Sequence, residues 1–112
     1  MSAGTYNLII DQGTTFTLDI TIKEDDVVKD LTGYSARAQM RATKTASSVA
    51  ASFTCTIPTP ANGTVRMALS PSTSSSMTAG QFFYDLEIYT SSDAIVKRIV
   101  EGTATLTQEV TR

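Results

Sequence analysis

Residues 14–22 read TTFTLDITI and alternate strictly between polar and apolar side chains. The apolar positions are Phe16, Leu18, Ile20 and Ile22. Because successive side chains of a strand point to opposite sides, this spacing predicts a β-strand with one face in a core and one face in solvent. The threonines between them favour the same structure, since β-branched side chains suit a half-exposed strand.

The same alternation recurs along the chain between turn residues and predicts about seven strands. The expected strands are residues 7–11, 14–22, 34–41, 53–57, 65–69, 81–90 and 94–107. In the strand at 81–90, Phe82 and Tyr84 belong to the inward phase, and Phe83 and Tyr89 to the outward phase. In the last strand, Val96 and Val100 are expected on one common face. Residues 43–51, TKTASSVAA, are small and polar and predict either a flexible loop or a frayed strand end.

Turn chemistry separates these strands. Asn62-Gly63 predicts a two-residue hairpin turn, because both residues accept a positive φ. Ser70 followed by Pro71 predicts the start of one short helical turn. Lys23 to Asp26, KEDD, is expected to be a polar turn, and Gly102 a β-bulge.

These elements predict an all-β fold, an immunoglobulin-like β-sandwich of about seven antiparallel strands forming a single domain over residues 1–112. A small barrel is the alternative. The chain contains 19 Thr and 12 Ser, and 41% of its residues are hydrophobic. That composition favours half-exposed strands and is sufficient for one core.

Charge and composition exclude several classes of function. The net charge is −2, so a concentrated basic face for nucleic acid or an anionic membrane is not expected. There is no His and only one Cys, which removes the commonest zinc sites and nucleophile pairs. We therefore expect no enzyme activity, no cofactor and no metal. The first residues carry no signal-peptide pattern, and no membrane span is expected.

Two groups of chemically capable residues have structural interpretations. Cys55 lies on an apolar strand phase and is expected to be a small buried hydrophobe. Asp85 and Glu87 share a strand face, and Arg37 and Arg41 have the same spacing on another strand. A ladder of opposite charges across neighbouring strands accounts for all four residues.

Three blocks resemble a family of small virion proteins of tailed bacteriophages. They are DLTGYSARAQMR at 30–41, AGQFFYDLEIYTS at 79–91 and KRIVEGTATLTQEVTR at 97–112. Residues 6–22 are similar to the opening strands of the same family, so the resemblance spans nearly the whole chain. The family is also similar to the immunoglobulin-like domain of phage upper baseplate proteins. This chain has Asp93-Ala94 where the family generally has Asp-Gly, which affects the expected hairpin type.

The resemblance implies a structural component of a tailed-phage virion that binds other virion subunits as a tail, neck or baseplate accessory protein. A capsid decoration protein is the alternative, and a host- or carbohydrate-binding module is a third possibility. The implied location is the virion, after a period in the host cytoplasm. A symmetric assembly is expected in the particle and a monomer in isolation.

Contacts with such partners are expected from the polar chain ends, from the loop at 43–51 and from outward aromatic side chains. The candidate interface residues are Tyr6, Thr43, Lys44, Phe83, Tyr89, Val110 and Arg112. For Phe83 and Tyr89 two interpretations stay open. They either anchor an interface or are covered by a second sheet or by the connection at 70–80.

Overall fold

Ten β-strands make up most of the structure, a computed structural model that describes residues 4–111. The strands are β1 (Gly4–Thr5), β2 (Leu8–Asp11), β3 (Phe16–Thr21), β4 (Lys23–Glu24), β5 (Val27–Val28), β6 (Ser35–Arg41), β7 (Ala51–Thr56), β8 (Thr64–Leu69), β9 (Gly80–Tyr89) and β10 (Val96–Thr107). The one helix within residues 4–111 is α1 (Pro71–Ser75), and 3-10 turns cover Pro60–Asn62 and Ser91–Asp93. No helix in this part of the chain is both long and apolar enough to cross a lipid bilayer.

Hydrogen bonds join the strands in the order β1-β10-β9-β6-β7-β8-β3, while β2 also pairs with β10 and β4 pairs with β5. The all-β class is confirmed. The expected antiparallel pairing holds except at the start of the chain, where β1 and β2 run parallel to β10. The twelve-residue β10 is long enough for both short strands to pair along the edge that β9 leaves open.

The core lies between the inward faces of the strands. In β9 the inward residues Tyr84, Leu86 and Ile88 are almost fully buried, and Phe82 is half-buried. Phe53 connects two parts of the core, because its ring lies 6.1 Å from the ring of Phe16 and 6.3 Å from that of Tyr84. The inward phases predicted for β3 and β9 are therefore correct.

The prediction of a two-residue hairpin at Asn62-Gly63 is wrong. The connection between β7 and β8 contains a 3-10 turn over Pro60–Asn62, and only Gly63 has a positive φ, at 66°. Pro60 starts this turn, because its fixed φ is compatible with a helical conformation. The two-residue turn with two positive φ values lies instead at Asp25-Asp26, between β4 and β5.

The β10 strand carries its irregularity at Ile99, between Arg98 and Val100, and not at the expected Gly102. This bulge reverses the side-chain phase. Val96 therefore lies opposite Tyr89 and is 42% exposed, whereas Val100 lies opposite Leu86 and is buried. The prediction that Val96 and Val100 share one face is wrong for this reason.

The helix start follows the sequence closely, whereas Cys55, which was predicted to be buried, is only partly buried. The Ser70 hydroxyl accepts a hydrogen bond from the Thr73 backbone N–H, and Pro71 is the first helical residue, as predicted. Cys55 is half-buried against the core, and burial raises the pKa of its thiol to about 11. The thiol therefore stays protonated at neutral pH and behaves as an apolar group.

Candidate functional site

The outward side chains of β6, β9 and β10 form one continuous surface, which we call the outer face. Along β9 it presents Phe83, Asp85, Glu87 and Tyr89 in that order. The two aromatic residues are six positions apart, which corresponds to about 20 Å along a strand. The outer face is therefore a strip with an aromatic ring at each end and carboxylates between them.

The expected charge ladder is present in part. Arg37 of β6 lies opposite Glu87, and its Nε is 2.9 Å from the Glu87 carboxylate. Arg41 does not pair with Asp85, because the register places Arg41 opposite Phe83. Asp85 pairs instead with Arg98 of β10, at 3.3 Å. Arg98 also approaches Glu101 at 3.8 Å.

Both aromatic residues point outward and are half-buried. The Arg37 guanidinium lies over the Tyr89 ring, with Cζ 4.4 Å from the ring centroid. The Lys44 ammonium lies over the Phe83 ring at 5.9 Å. Each ring is thus covered by a cation, and these contacts stabilise the local geometry modestly. Both side chains therefore lie on the outward phase of β9, as the alternation predicts.

A depression of about 530 Å³ occupies the Phe83 end and the centre of the outer face. Strand β9 contributes Phe83, Asp85 and Glu87 to its lining. The remaining charged lining residues are Arg37, Arg41, Lys44, Arg98 and Glu101. The depression therefore combines the Phe83 ring with charged side chains of both signs in one concave surface.

The structure separates the predicted interface residues into two groups. Thr43 and Lys44 lie in the exposed loop beside Phe83, and Tyr89 lies at the far end of the same face. Tyr6 is 52% exposed and Val110 is 89% exposed, and neither lines the depression. Arg112 lies outside the described residues.

Two lining residues, Arg98 and Glu101, were not predicted from the sequence as part of this surface. Strict alternation along β10 puts them on opposite sides of the strand, since they are three residues apart. The bulge at Ile99 brings both to the outer face. No Gly or Pro occurs at that position to indicate it.

The surroundings of Asp85 on the outer face disfavour the negative charge of its carboxylate. Its side chain is 38% exposed. Partial burial raises the pKa of its carboxyl, and the nearby Glu87 and Glu101 carboxylates raise it further, against the opposing effect of Arg98 and Arg41. A raised carboxyl pKa means that the ionised form is less favourable in the folded chain than in the unfolded chain.

Replacing Asp85 with Asn is expected to stabilise the fold at neutral pH. The protonated carboxyl favours folding, so its contribution is complete below the unfolded pKa and is lost as the pH rises through the higher folded pKa. An amide avoids that loss. We expect the melting temperature of D85N to exceed that of the native chain by roughly 1–3 °C at neutral pH. The difference should shrink as acid protonates the native Asp85.

Asp19 provides a control of opposite sign. Its carboxylate accepts hydrogen bonds from Arg66 at 2.9 and 3.3 Å, and this interaction lowers the pKa of the Asp19 carboxyl. Its stabilisation is present above the unfolded pKa and is lost as the pH falls through the folded pKa. D19N should therefore be neutral or slightly destabilised. A loss of stability in D85N at neutral pH would contradict the account of Asp85.

No protein-family model matches this chain, and no curated protein matches it. The outer face is distinguished by the shape of the depression, the two aromatic side chains and the arrangement of charges around them.

Proposed function

We propose that this chain is a structural subunit of a tailed-phage particle, an accessory of the tail, neck or baseplate, and that it binds neighbouring subunits through the outer face. The observation that carries the proposal is the depression beside Phe83, with Tyr89 at the far end of the same strip. Aromatic and arginine side chains are the residue types that most often anchor protein interfaces. The motif order that resembles small virion proteins supports the same function.

We also propose that the strands form an immunoglobulin-like sandwich. Strand β7 pairs with β6 through residues 51–53 and with β8 through residues 54–56. A strand that changes partner in this way can connect two layers of sheet. Phe53, at the point of change, packs between Phe16 of β3 and Tyr84 of β9, which supports a core enclosed by two layers.

The cation contacts favour a protein partner over a carbohydrate. Sugar rings bind to aromatic side chains through the open face of the ring. In this chain the Arg37 guanidinium already covers one face of Tyr89, and the Lys44 ammonium lies over Phe83. A sugar that used those ring faces would have to displace the cations, whereas a protein partner can contact ring edges and cations together.

Quantitative mass spectrometry of purified particles tests the proposed location. The measurement compares the copy number of this chain with that of the major capsid protein. A small number that fits a ring supports a tail, neck or baseplate accessory. A number close to that of the shell subunit would replace it with capsid decoration, and absence from the particle would refute a virion function.

A double variant tests the outer face. F83A/Y89A removes both aromatic anchors, and loss of interface anchors commonly costs 2 kcal/mol or more each. We expect the variant to fold and its copy number in particles to fall about tenfold or more. The control is R66A, which removes an exposed arginine of β8, a strand outside the outer face. Equal incorporation of F83A/Y89A and R66A would refute docking through this face.

A further inference from the structure

One end of the depression contains a preorganised cationic corner, formed by Arg41, Lys44 and the ring of Phe83. The half-buried Arg41 donates from Nη1 to the Ala46 carbonyl at 2.9 Å and from Nη2 to the Gln39 side-chain oxygen at 3.2 Å. These bonds hold the guanidinium between β6 and the loop at 42–50. A group that is held in place loses little conformational freedom when a ligand binds.

The two cations of this corner have no salt bridge to an acidic side chain among residues 4–111. The acidic residues of the depression are paired elsewhere: Glu87 with Arg37, and both Asp85 and Glu101 with Arg98. The lining has four cationic and three acidic side chains, whereas the whole chain has a net charge of −2. Positive charge is therefore in local excess at the Arg41 end.

From this charge complementarity we infer that the corner receives an Asp or Glu side chain from an extended segment of a neighbouring protein subunit, with an apolar residue beside it against the edge of the Phe83 ring. Arginine suits this task, because its guanidinium donates several hydrogen bonds to a carboxylate while its plane stays fixed. The exposed Lys44 adds a second charge at the entrance. The inference rests on the proposed function and specifies the chemistry of the partner.

The rest of the depression favours an acidic protein segment over a nucleic acid. A polynucleotide brings a phosphate at each step along the strand. If it extended from Arg41 along β9, its phosphates would pass Asp85 and Glu87, and Glu101 of β10 lies beside them. A segment with one carboxylate at the corner and uncharged residues beyond it avoids that repulsion.

A matched pair of dipeptides tests the inference. The probes are N-acetyl-Glu-Phe-amide and N-acetyl-Gln-Phe-amide, which differ only in the carboxylate. We expect the Glu probe to produce saturable NMR shifts at the Arg41 Nε–H and at the backbone amides of 43–46. The Gln probe should bind about tenfold more weakly, since one hydrogen bond between charged groups contributes about that difference. Added salt should weaken only the Glu probe.

Three variants identify the residues responsible. R41Q/K44Q should abolish the response to the Glu probe. K44Q alone should weaken binding of the Glu probe severalfold. Because K44Q keeps the hydrogen bonds of Arg41, it still tests the corner if R41Q disturbs the loop. R66Q is the control, because Arg66 is an exposed arginine on a strand outside the outer face, and it should bind the Glu probe like the native chain.

The outcomes separate this inference from the proposed function. Equal binding of the two probes, no saturable shift, or tighter binding of a short single-stranded DNA at the same residues would overturn the acidic-segment inference. If the probes fail but F83A/Y89A still lowers the copy number in particles, docking through the outer face remains supported and only the acidic-segment inference is refuted. If the Glu probe binds as expected but the chain is absent from particles, the virion function fails and the anion-binding corner remains.

Discussion

Replacing Gly63 with alanine is expected to lower the free energy of unfolding by about 2–5 kcal/mol. Gly63 has a φ of 66°, a conformation that costs an L-residue with a side chain about 1–2 kcal/mol. An added Cβ would also lie 2.6 Å from the Lys29 carbonyl oxygen and 2.6 Å from Val28 Cγ1. The backbone oxygen cannot move without disturbing the junction with the β4-β5 ribbon.

That junction depends on three main-chain hydrogen bonds. Ile22 donates to the Gly63 carbonyl at 2.7 Å, Lys29 donates to the Ile22 carbonyl at 2.9 Å, and Leu31 donates to the Pro60 carbonyl at 2.9 Å. Leu31 is fully buried, so displacement of this region also disturbs the core. Denaturant unfolding of G63A should show a lower midpoint with little change in slope.

Gly33 is the matched control. It also has a positive φ, of 86°, but a Cβ added there meets nothing within 4 Å. G33A should therefore cost only the conformational penalty, about 1–2 kcal/mol. Equal losses in G33A and G63A would show that close packing at Gly63 adds nothing.

Replacing Gly102 with alanine is the second change with a large expected effect, about 2–4 kcal/mol. Its added Cβ would lie 2.5 Å from the Tyr6 carbonyl oxygen and 2.8 Å from the Asn7 side-chain oxygen. Those two groups connect the segment between β1 and β2 to the sheet. The Tyr84 hydroxyl donates to the Tyr6 carbonyl, and the Thr103 N–H donates to Asn7 at 3.1 Å. We expect the N-terminal strands to separate from β10 in G102A.

Hydrogen exchange measures that separation directly. The amides of β1 and β2 should lose protection in G102A, while those of β6 and β9 keep it. Gly4 is the control in the same strand pair, because a Cβ there would lie 3.8 Å from the Ile99 carbonyl oxygen, an ordinary contact. Y84F removes one hydrogen bond without a steric clash and should lower the free energy of unfolding by about 1 kcal/mol. If G102A loses no more than Y84F, the steric argument is incorrect.

The sequence predicts most of this fold where alternation alone decides the structure. The strands containing Phe16 and Leu86 alternate without interruption, and one buried face follows from that pattern. The Arg37–Glu87 pair was predictable for the same reason, since both residues lie on outward phases of neighbouring strands. Local chemistry also predicts the cap at Ser70, whose partner is three residues away.

The errors occur where tertiary contacts choose between locally similar conformations. Asn62-Gly63 and Asp25-Asp26 can both form tight turns. The residue types around Gly63 do not indicate that it packs against Lys29, a contact that is distant in sequence. Gly102 resembles a bulge residue, but its lack of a side chain makes room for the Tyr6 carbonyl.

Two charged residues of the candidate site could not be predicted for the same reason. Arg98 and Glu101 reach the outer face only because of the bulge at Ile99. The guanidinium of Arg41 is held by the backbone carbonyl of Ala46. Any residue type has such a carbonyl, so the sequence does not indicate this contact. The sequence did predict the row of outward residues on β9, the arginines Arg37 and Arg41 on β6, and Lys44 in the adjoining loop.

The parallel pairing of β2 with β10 has a consequence for biosynthesis. Leu8 lies opposite Ala104, and the Asn7 side chain binds the backbone of Thr103, 96 residues later. During translation the partner of β2 is therefore synthesised 96 residues after β2 itself. Until then the apolar side chains of Leu8 and Ile10 have no β10 to pack beside. We expect β2 to remain available to chaperones until β10 has left the ribosome.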